Sequence, residues 1–219
     1  MSATAELARR FSSLYTGALT DVLDRHGFLQ QTLPPDLAPL REGMRLAGPV
    51  HPVLGRPHPN HDYDTSIRLV LEMLGSVPPR HVAVYQTNDR VSAHLGELSV
   101  TSLGSRGCAG AVIDGGTRDA DYILREDFPV FARYVTPQDC VPRWELLAHG
   151  DVTIVVGGVR VAPGDWIVGD RDGLVIVPGG RVDEILGEAE EKVATESQIR
   201  QAVRGGALPL EAYERFGTF

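Results

Sequence analysis

The sequence lacks the features that mark membrane, secreted and nucleic-acid-binding proteins. It has no run of about 18 apolar residues, so we expect no membrane-spanning helix, and its N-terminus has no apolar signal-peptide core. Its two cysteines match no zinc spacing and indicate reduced thiols of a cytoplasmic protein. With 29 acidic against 21 basic side chains, it lacks the basic surface that nucleic acid attracts. We therefore expect a cytoplasmic protein with no membrane or nucleic-acid partner.

The sequence does contain enough apolar material for one domain. Its 219 residues are 42% hydrophobic, which predicts a single core and one domain over 1–219. Helical spacing predicts N-terminal helices within 1–27, the second of them capped by Thr20 or Asp21. A long charged helix is predicted near the other end, within a helical extension over 181–219.

The middle of the chain alternates between predicted strands and helices. Helices are predicted over 63–74 and 98–105, and strands at HVAVYQT, GAVIDG and PVFARYVTP. Prolines interrupt RLAGPVHPVLG, which predicts an edge strand or a bulge. Glycine-containing turns predict hairpins over 151–178. The pattern predicts an α/β fold with a mixed central sheet and flanking helices.

Arg118 and Asp119, directly after the strand GAVIDG, are the first candidates for chemistry. The planar guanidinium of Arg118 fits a carboxylate or a polarised carbonyl. Asp119 offers one hard oxygen ligand, and Mg²⁺ is usually held by one or two carboxylates together with waters and substrate oxygens. The alternative is a surface ion pair at a turn, which the dipeptide alone favours.

Glu97 is the second candidate, because it immediately precedes a predicted helix. If that helix begins at Leu98, the backbone N–H groups of Leu98 and Ser99 are free to bind a substrate carboxylate. The alternative is that Glu97 only interacts favourably with the helix dipole.

The remaining candidates carry weaker signals. The glycines over 104–116 spell neither a dinucleotide fingerprint nor a P-loop. Cys108 has no nucleophile signature and is expected to be a packed thiol. His94 is a candidate base, although a histidine in a loop is more often without function. A loose histidine set makes metal binding a minor alternative: His51, His58 and His61.

Several segments, taken in order, make the sequence similar to a known family. They are TGALTDVLDRHG, GEL at 96–98, GCAGAVIDGGTRD at 107–119, PVFARYVTP at 129–137 and GGVRVAPGDWIVGDRDGLVIVP at 157–178. Each segment alone is weakly specific, but their order and spacing together are a strong signal. Over most of its length the chain resembles the family of regulator of ribonuclease activity A and the class II 4-hydroxy-4-methyl-2-oxoglutarate (or 4-carboxy-4-hydroxy-2-oxoadipate) aldolases.

The resemblance implies a swivelling β/β/α fold and a ring-shaped trimer, sometimes paired into a hexamer, with sites between subunits. It implies a divalent metal, Mg²⁺ or Mn²⁺, at Asp119, and catalytic roles for Arg118 and Glu97. The family acid is commonly Asp, so Glu97 is a departure. The implied substrate-binding residues are Gly96, Leu98, Ser99 and Arg118. A glutamate from a neighbour's C-terminal helix is also implied; Glu196 fits best, with Glu190 and Glu191 close by.

The function implied by the resemblance is metal-dependent retro-aldol cleavage of a 4-hydroxy-2-oxo acid to pyruvate. Oxaloacetate decarboxylation is the expected side activity, because it forms the same enolate. One alternative is a non-catalytic regulator that binds a ribonuclease, but family members of that kind lack the Asp at the place of Asp119. The other is a lyase of the same fold that acts on a sugar acid, a choice left to rim residues such as His94, Asn88 and Arg90.

Overall fold

A mixed sheet of eight strands forms the centre of the fold. The structure is a computed structural model that describes residues 2–59 and 62–219. Its strands are β1 (Ala38–Pro39), β2 (Leu46–Pro57), β3 (Val82–Gln86), β4 (Gly110–Thr117), β5 (Val130–Val135), β6 (Trp144–His149), β7 (Ile154–Val156), β8 (Val159–Val161), β9 (Trp166–Asp170) and β10 (Gly173–Val177). Its helices are α1 (Ala3–Ser12), α2 (Thr16–Arg25), α3 (Tyr63–Ser76), α4 (Glu97–Ser105), α5 (Ala120–Ile123), α6 (Val182–Arg204) and α7 (Pro209–Phe216).

The order of strands in the sheet is β1-β5-β4-β3-β2-β9-β10, and β6 also pairs with β2. The neighbours from β2 through β3 and β4 to β5 run parallel, whereas β1, β6, β9 and β10 pair antiparallel. The prediction of a mixed sheet is confirmed. The carboxyl ends of the parallel strands meet at one edge of the sheet, which is where α/β folds place their ligands.

β2 lies in the centre of the sheet, so the prediction of an edge strand is wrong. It pairs with β3 along one side and, along the other, first with β9 and then with β6. Pro52 falls between these last two partners, and its carbonyl accepts from Gly150 N at 2.9 Å. The absence of a backbone N–H at Pro52 therefore removes no hydrogen bond from the ladder. The predicted bulge is present, at Leu54 and Gly55.

α2 begins at Thr16, so the prediction of a cap at Thr20 or Asp21 is wrong. The buried carboxylate of Asp170, at the end of β9, accepts hydrogen bonds from Thr16 N and Thr16 Oγ1, both at 2.8 Å. A side chain distant in sequence thus satisfies the first turn of the helix, as a local N-cap does elsewhere.

Three clusters of buried apolar side chains join the layers. The first packs α3 and α4 against the sheet, the second packs the hairpin β7–β8, and the third packs α1, α2 and the first half of α6. No helix in the described ranges is long and apolar enough to cross a bilayer. A cleft at the carboxyl ends of the parallel strands lies beside the first cluster.

Candidate active site

A cleft at the carboxyl ends of β4 and β5 contains most of the residues that the sequence singles out. Its volume is ≈ 380 Å³, and it lies beside the start of α4. The predicted substrate-binding, catalytic and metal-binding groups are among its lining residues: Gly96, Glu97, Leu98, Ser99, Arg118 and Asp119. Glu196, the predicted glutamate of the C-terminal helix, is not among them.

The segment 93–95 holds the end of β4 and the start of α4 in fixed positions relative to each other. Arg118 N donates to the carbonyl of Leu95 at 3.0 Å, and the Thr117 hydroxyl donates to the same carbonyl at 2.8 Å. Arg118 directly follows β4, and the segment leads directly into α4. These hydrogen bonds therefore hold Arg118 close to Glu97, although 20 residues separate the two in sequence.

Asp119 has a left-handed backbone conformation, with φ of 58°, which Asp adopts more readily than most residues. The carboxylate is directed toward α4, where Oδ2 accepts from Glu97 N at 3.1 Å. The same oxygen lies 3.6 Å from Arg118 Nε. The ion pair that the dipeptide favours is therefore present, and it lies inside the cleft.

α4 begins at Glu97, one residue before its predicted start, with Gly96 as the N-cap residue. Asp119 binds the N–H of Glu97. The next two N–H groups, of Leu98 and Ser99, have no partner inside the helix, because the first turn lacks acceptors. Together with the positive end of the helix dipole, they are suited to binding a carboxylate.

The cleft has two further parts, of which Asp139 has no counterpart among the candidate residues of the sequence. Asp139, the first acidic residue after β5, places Oδ2 at 3.2 Å from Arg118 Nη1. Helix α3 supplies an aliphatic wall: Ile67, Val70, Leu71 and Leu74. The sequence does contain a pattern that could have indicated Asp139, because polar residues that follow adjacent parallel strands meet at the same edge of a sheet.

The oxygen donors of the cleft suit a hard divalent cation. Asp119 is 42% exposed at its side chain, and Glu97 and Asp139 line the same cleft. Across 2–59 and 62–219, the one group of three potential ligands with atoms within 4.8 Å of one another lies elsewhere, at His26, Glu184 and Glu188. Asp119 would therefore serve as a single protein ligand, completed by waters and substrate oxygens, as is common for Mg²⁺.

The group around His26 is better explained as a hydrogen-bond network. Arg181 Nη2 lies 2.8 Å from His26 Nδ1, and His26 Nε2 lies 2.8 Å from Glu188 Oε1. Because arginine only donates, Nδ1 is the acceptor and Nε2–H donates to Glu188. Both ring nitrogens are then engaged, and neither lone pair is free for a metal.

Comparison with known proteins identifies the family. The family model described as RraA-like, Aldolase/RraA, matches residues 16–176, which is more than half of the chain. The chain belongs to the Aldolase/RraA family. The resemblance stated from the sequence segments is thereby confirmed.

Relatives within the Aldolase/RraA family differ in what they are said to do. A "Putative 4-hydroxy-4-methyl-2-oxoglutarate aldolase" of Halalkalibacterium halodurans is 26% identical over 211 residues, covering 96% of this chain and 95% of its own. One of the same name from Burkholderia multivorans is 30% identical over 168 residues, covering 74% and 96%. Streptomyces coelicolor RraAS2, called an unusual member of the RNase ES inhibitor RraA protein family, matches with a TM-score of 0.79 and 28% identity, covering 90% and 98%. The predicted fold class is confirmed.

Of the three polar residues predicted at the rim of the cleft, two are placed wrongly and His94 is placed correctly. Asn88 and Arg90 do not line the cleft, and Arg90 instead pairs with Asp114 at 2.8 Å. His94 does line it, but its side chain is fully buried and Nε2 lies 3.3 Å from Asp89 Oδ2. The contact with His94 lowers the pKa of the Asp89 carboxyl below its usual range. His94 and Asp89 thus form a buried pair behind the cleft.

The loose histidine set forms no metal site in the described ranges. His51 is buried with its ring centroid 5.7 Å from that of His149. Burial lowers the pKa of His51 to about 4, so its ring is uncharged at neutral pH. His58 donates its backbone N–H to a carbonyl at 2.7 Å, and His61 lies outside the described residues.

Glu196 lies on the second half of α6, away from the cleft of its own subunit. Its Oε1 lies 3.0 Å from Lys192 Nζ. Of the two other candidates, Glu190 accepts hydrogen bonds from Arg10 Nε and Nη2 at 2.8 and 2.7 Å. These hydrogen bonds lower the pKa of the Glu190 carboxyl. Glu191 is exposed. A catalytic role for any of these glutamates therefore requires a neighbouring subunit.

Proposed function

We propose that this protein is a divalent-metal-dependent lyase that cleaves a 4-hydroxy-2-oxo acid of the 4-hydroxy-4-methyl-2-oxoglutarate type to pyruvate. One observation carries the proposal: the N-terminus of α4, the Arg118 guanidinium and the Asp119 carboxylate all face one cleft of ≈ 380 Å³. A 2-oxo acid needs an anion site, a donor to its keto oxygen and a charge that stabilises an enolate, and this set of groups supplies all three.

The substrate is held at two points by groups of the chain itself. The N–H groups of Leu98 and Ser99 donate to the carboxylate beside the keto group. Arg118 donates to the keto oxygen, where negative charge develops as the C3–C4 bond breaks. Asp119 would hold the divalent cation. Because Gly96 has no side chain, the Asp119 carboxylate has room to approach α4. When bound, the cation supplies positive charge next to the developing enolate.

Glu97 is the proposed general base for the hydroxyl at C4. It lies at the start of α4, beside the groups that bind the substrate. Removal of the hydroxyl proton lets the C4–O bond become a carbonyl as the C3–C4 bond breaks, so that the C4 fragment leaves as a carbonyl product. The electrons of the broken bond pass into the enolate, which then takes a proton to give pyruvate. Loss of carbon dioxide from oxaloacetate forms the same enolate, so the same groups serve decarboxylation.

A pyruvate-release assay tests the proposed function. The purified protein is incubated with 4-hydroxy-4-methyl-2-oxoglutarate, 4-carboxy-4-hydroxy-2-oxoadipate, oxaloacetate and a 2-oxo-3-deoxy sugar acid, each with Mg²⁺ or Mn²⁺ and each with excess EDTA. We expect pyruvate from at least one of the first three acids, loss of release in EDTA, and recovery when metal is restored. Full activity in EDTA would contradict metal dependence, and pyruvate from the sugar acid alone would assign a different substrate.

The Aldolase/RraA family also suggests a second function, because RraAS2 is similar over 90% of this chain and is named for ribonuclease inhibition. A protein that releases no pyruvate from any acid, but binds a ribonuclease and lowers its rate, would be a regulator. The presence of Asp119 beside Arg118 favours the lyase, because the resemblance implies that members acting only as inhibitors lack this Asp.

We further propose that the active form is a ring of subunits in which Glu196 of one subunit completes the cleft of the next. The first half of α6 supplies buried side chains to the third core cluster, whereas the second half buries only Ile199 and leaves Glu196 partly exposed for contact with an adjacent copy. Mixing inactive Asp119→Ala subunits with inactive Glu196→Ala subunits should then restore activity. Random exchange around a closed ring gives about a quarter of sites with both groups intact. No recovery after demonstrated subunit exchange, or activity of a monomer, would rule this out.

A further inference from the structure

Arg118 lies between two carboxylates, and only one of them adjoins it in sequence. Its Nη1 lies 3.2 Å from Asp139 Oδ2, whereas its Nε lies 3.6 Å from Asp119 Oδ2. All three side chains are partly exposed to the cleft, at 36–42% of their side-chain surface. The guanidinium is therefore closer to the carboxylate after β5 than to its neighbour after β4.

The Asp139 carboxylate is held in place by the backbone around it. Its Oδ1 accepts from Val141 N at 3.2 Å, which leaves Oδ2 directed at Arg118. The main chain on either side is bonded to Ala93, since Ala93 N donates to Gln138 O at 2.7 Å and Cys140 N donates to Ala93 O at 3.1 Å. The segment that positions Arg118 and α4 thus positions Asp139 as well.

We propose that Asp139 is a positioning residue, which holds the Arg118 guanidinium away from Asp119 and so leaves the Asp119 carboxylate available to a divalent cation. Arginine and a carboxylate tend to form two parallel hydrogen bonds when nothing prevents them. Without Asp139, the Arg118 guanidinium would close onto Asp119 and occupy the oxygens that the cation needs. This inference rests on the metal-binding role given to Asp119 in the proposed function.

Mn²⁺ binding to the substrate-free protein tests the proposal without an activity assay. Free Mn²⁺ is measured by electron paramagnetic resonance during titration of the wild type and Asp139→Asn. The amide introduced by this substitution keeps an acceptor for Val141 N but carries no charge to attract Arg118. Because loss of a group that orients a metal ligand commonly costs 10–100-fold in affinity, we expect the Kd for Mn²⁺ to rise about tenfold or more.

A matched control separates this effect from the loss of any surface carboxylate. Asp127 also pairs with an arginine, Arg41, but it lies outside the cleft. Asp127→Asn should leave the Kd for Mn²⁺ unchanged. Asp139→Glu, which restores the charge, should recover most of the affinity. Thermal melting of each variant establishes that it is folded.

The Arg118→Ala background decides whether Asp139 acts through Arg118. If it does, Asp139→Asn has no further effect on Mn²⁺ affinity once Arg118 is absent, and the two substitutions are coupled. If Asp139 bound the cation itself, or acted only by long-range charge, Asp139→Asn would weaken Mn²⁺ equally in both backgrounds. That result, or an unchanged Kd for Asp139→Asn alone, would overturn the proposal.

Failure of the positioning role of Asp139 can be distinguished from failure of the proposed lyase function. A wild type that binds Mn²⁺ but releases no pyruvate from any tested acid would contradict the proposed lyase function. The Mn²⁺ titrations of the Asp139 variants would still decide whether Asp139 positions Arg118. A wild type that binds no Mn²⁺ would overturn the positioning role itself. Where pyruvate release is found, Asp139→Asn should lower kcat at saturating metal less than it does at limiting metal.

Discussion

Asp119→Asn is expected to reduce pyruvate release to background at millimolar Mg²⁺. Asparagine keeps the size of the side chain and an acceptor for Glu97 N, but it loses the charge that would hold the cation. A metal ion that polarises an oxygen contributes several kcal/mol to transition-state stabilisation, and each ~1.36 kcal/mol is tenfold in rate. Loss of about 10²–10³-fold in kcat/KM is therefore expected, measured as pyruvate formed per enzyme.

The fold should survive this substitution, which makes the test specific. Asparagine tolerates the left-handed conformation at 119, whereas Ala would add a backbone cost of roughly 1–2 kcal/mol to the loss of the side chain. Asp127→Asn is again the matched control, since it also has φ above zero and an ion pair, and it should retain full activity. An Asp119→Asn variant with near wild-type turnover would show that Asp119 holds no essential cation.

The helices and strands around the cleft can be predicted because their signals are local. The strand GAVIDG carries a short apolar run, the helix after Gly96 carries apolar residues at helical spacing, and both form within a residue or two of their predicted positions. The prolines of β2 correctly indicate a bulge, but its central place in the sheet depends on three partner strands that no local pattern specifies. β6 is present without a predicted counterpart, whereas α7 falls within the helical extension predicted over 181–219.

Long-range contacts explain the parts of the site that sequence reasoning misses. Glu97, Arg118 and Asp119 stand out as candidates because strand ends and helix starts are recognisable from the sequence, but the roles expected of them come from the family resemblance. Asp139 lies in a turn-like sequence, TPQD. Its position in the cleft is set by the pairing of β5 with β4 and by contacts with Ala93. The wrong placement of the loop 88–90 at the rim has the same origin, since this loop folds against β2 and Asp114.

Gly96→Ala is expected to lower activity by roughly 10²-fold without unfolding the protein. The backbone of Gly96 is extended, with φ of −134° and ψ of −173°, a conformation that any residue can adopt. A Cβ at this position, however, would lie 2.6 Å from Asp119 Oδ2 and 3.2 Å from Arg118 Nε. The absence of a side chain is therefore required by the close approach of the Asp119 carboxylate and the Arg118 side chain.

The methyl group added by Gly96→Ala would force the Asp119 carboxylate away from Glu97 N and displace the guanidinium beside it. Because misplacement of catalytic groups by about 1 Å can cost 10²-fold in rate, a loss of roughly that size in kcat is expected, with weaker Mn²⁺ binding. Gly104→Ala is the control, since it lies in the same helix and its Cβ would meet Phe128 at an ordinary 3.7 Å. That control should stabilise the protein slightly through helix propensity and keep full turnover. If Gly96→Ala instead retained turnover close to that of the wild type, the contact between Asp119 and the start of α4 would not belong to the active geometry.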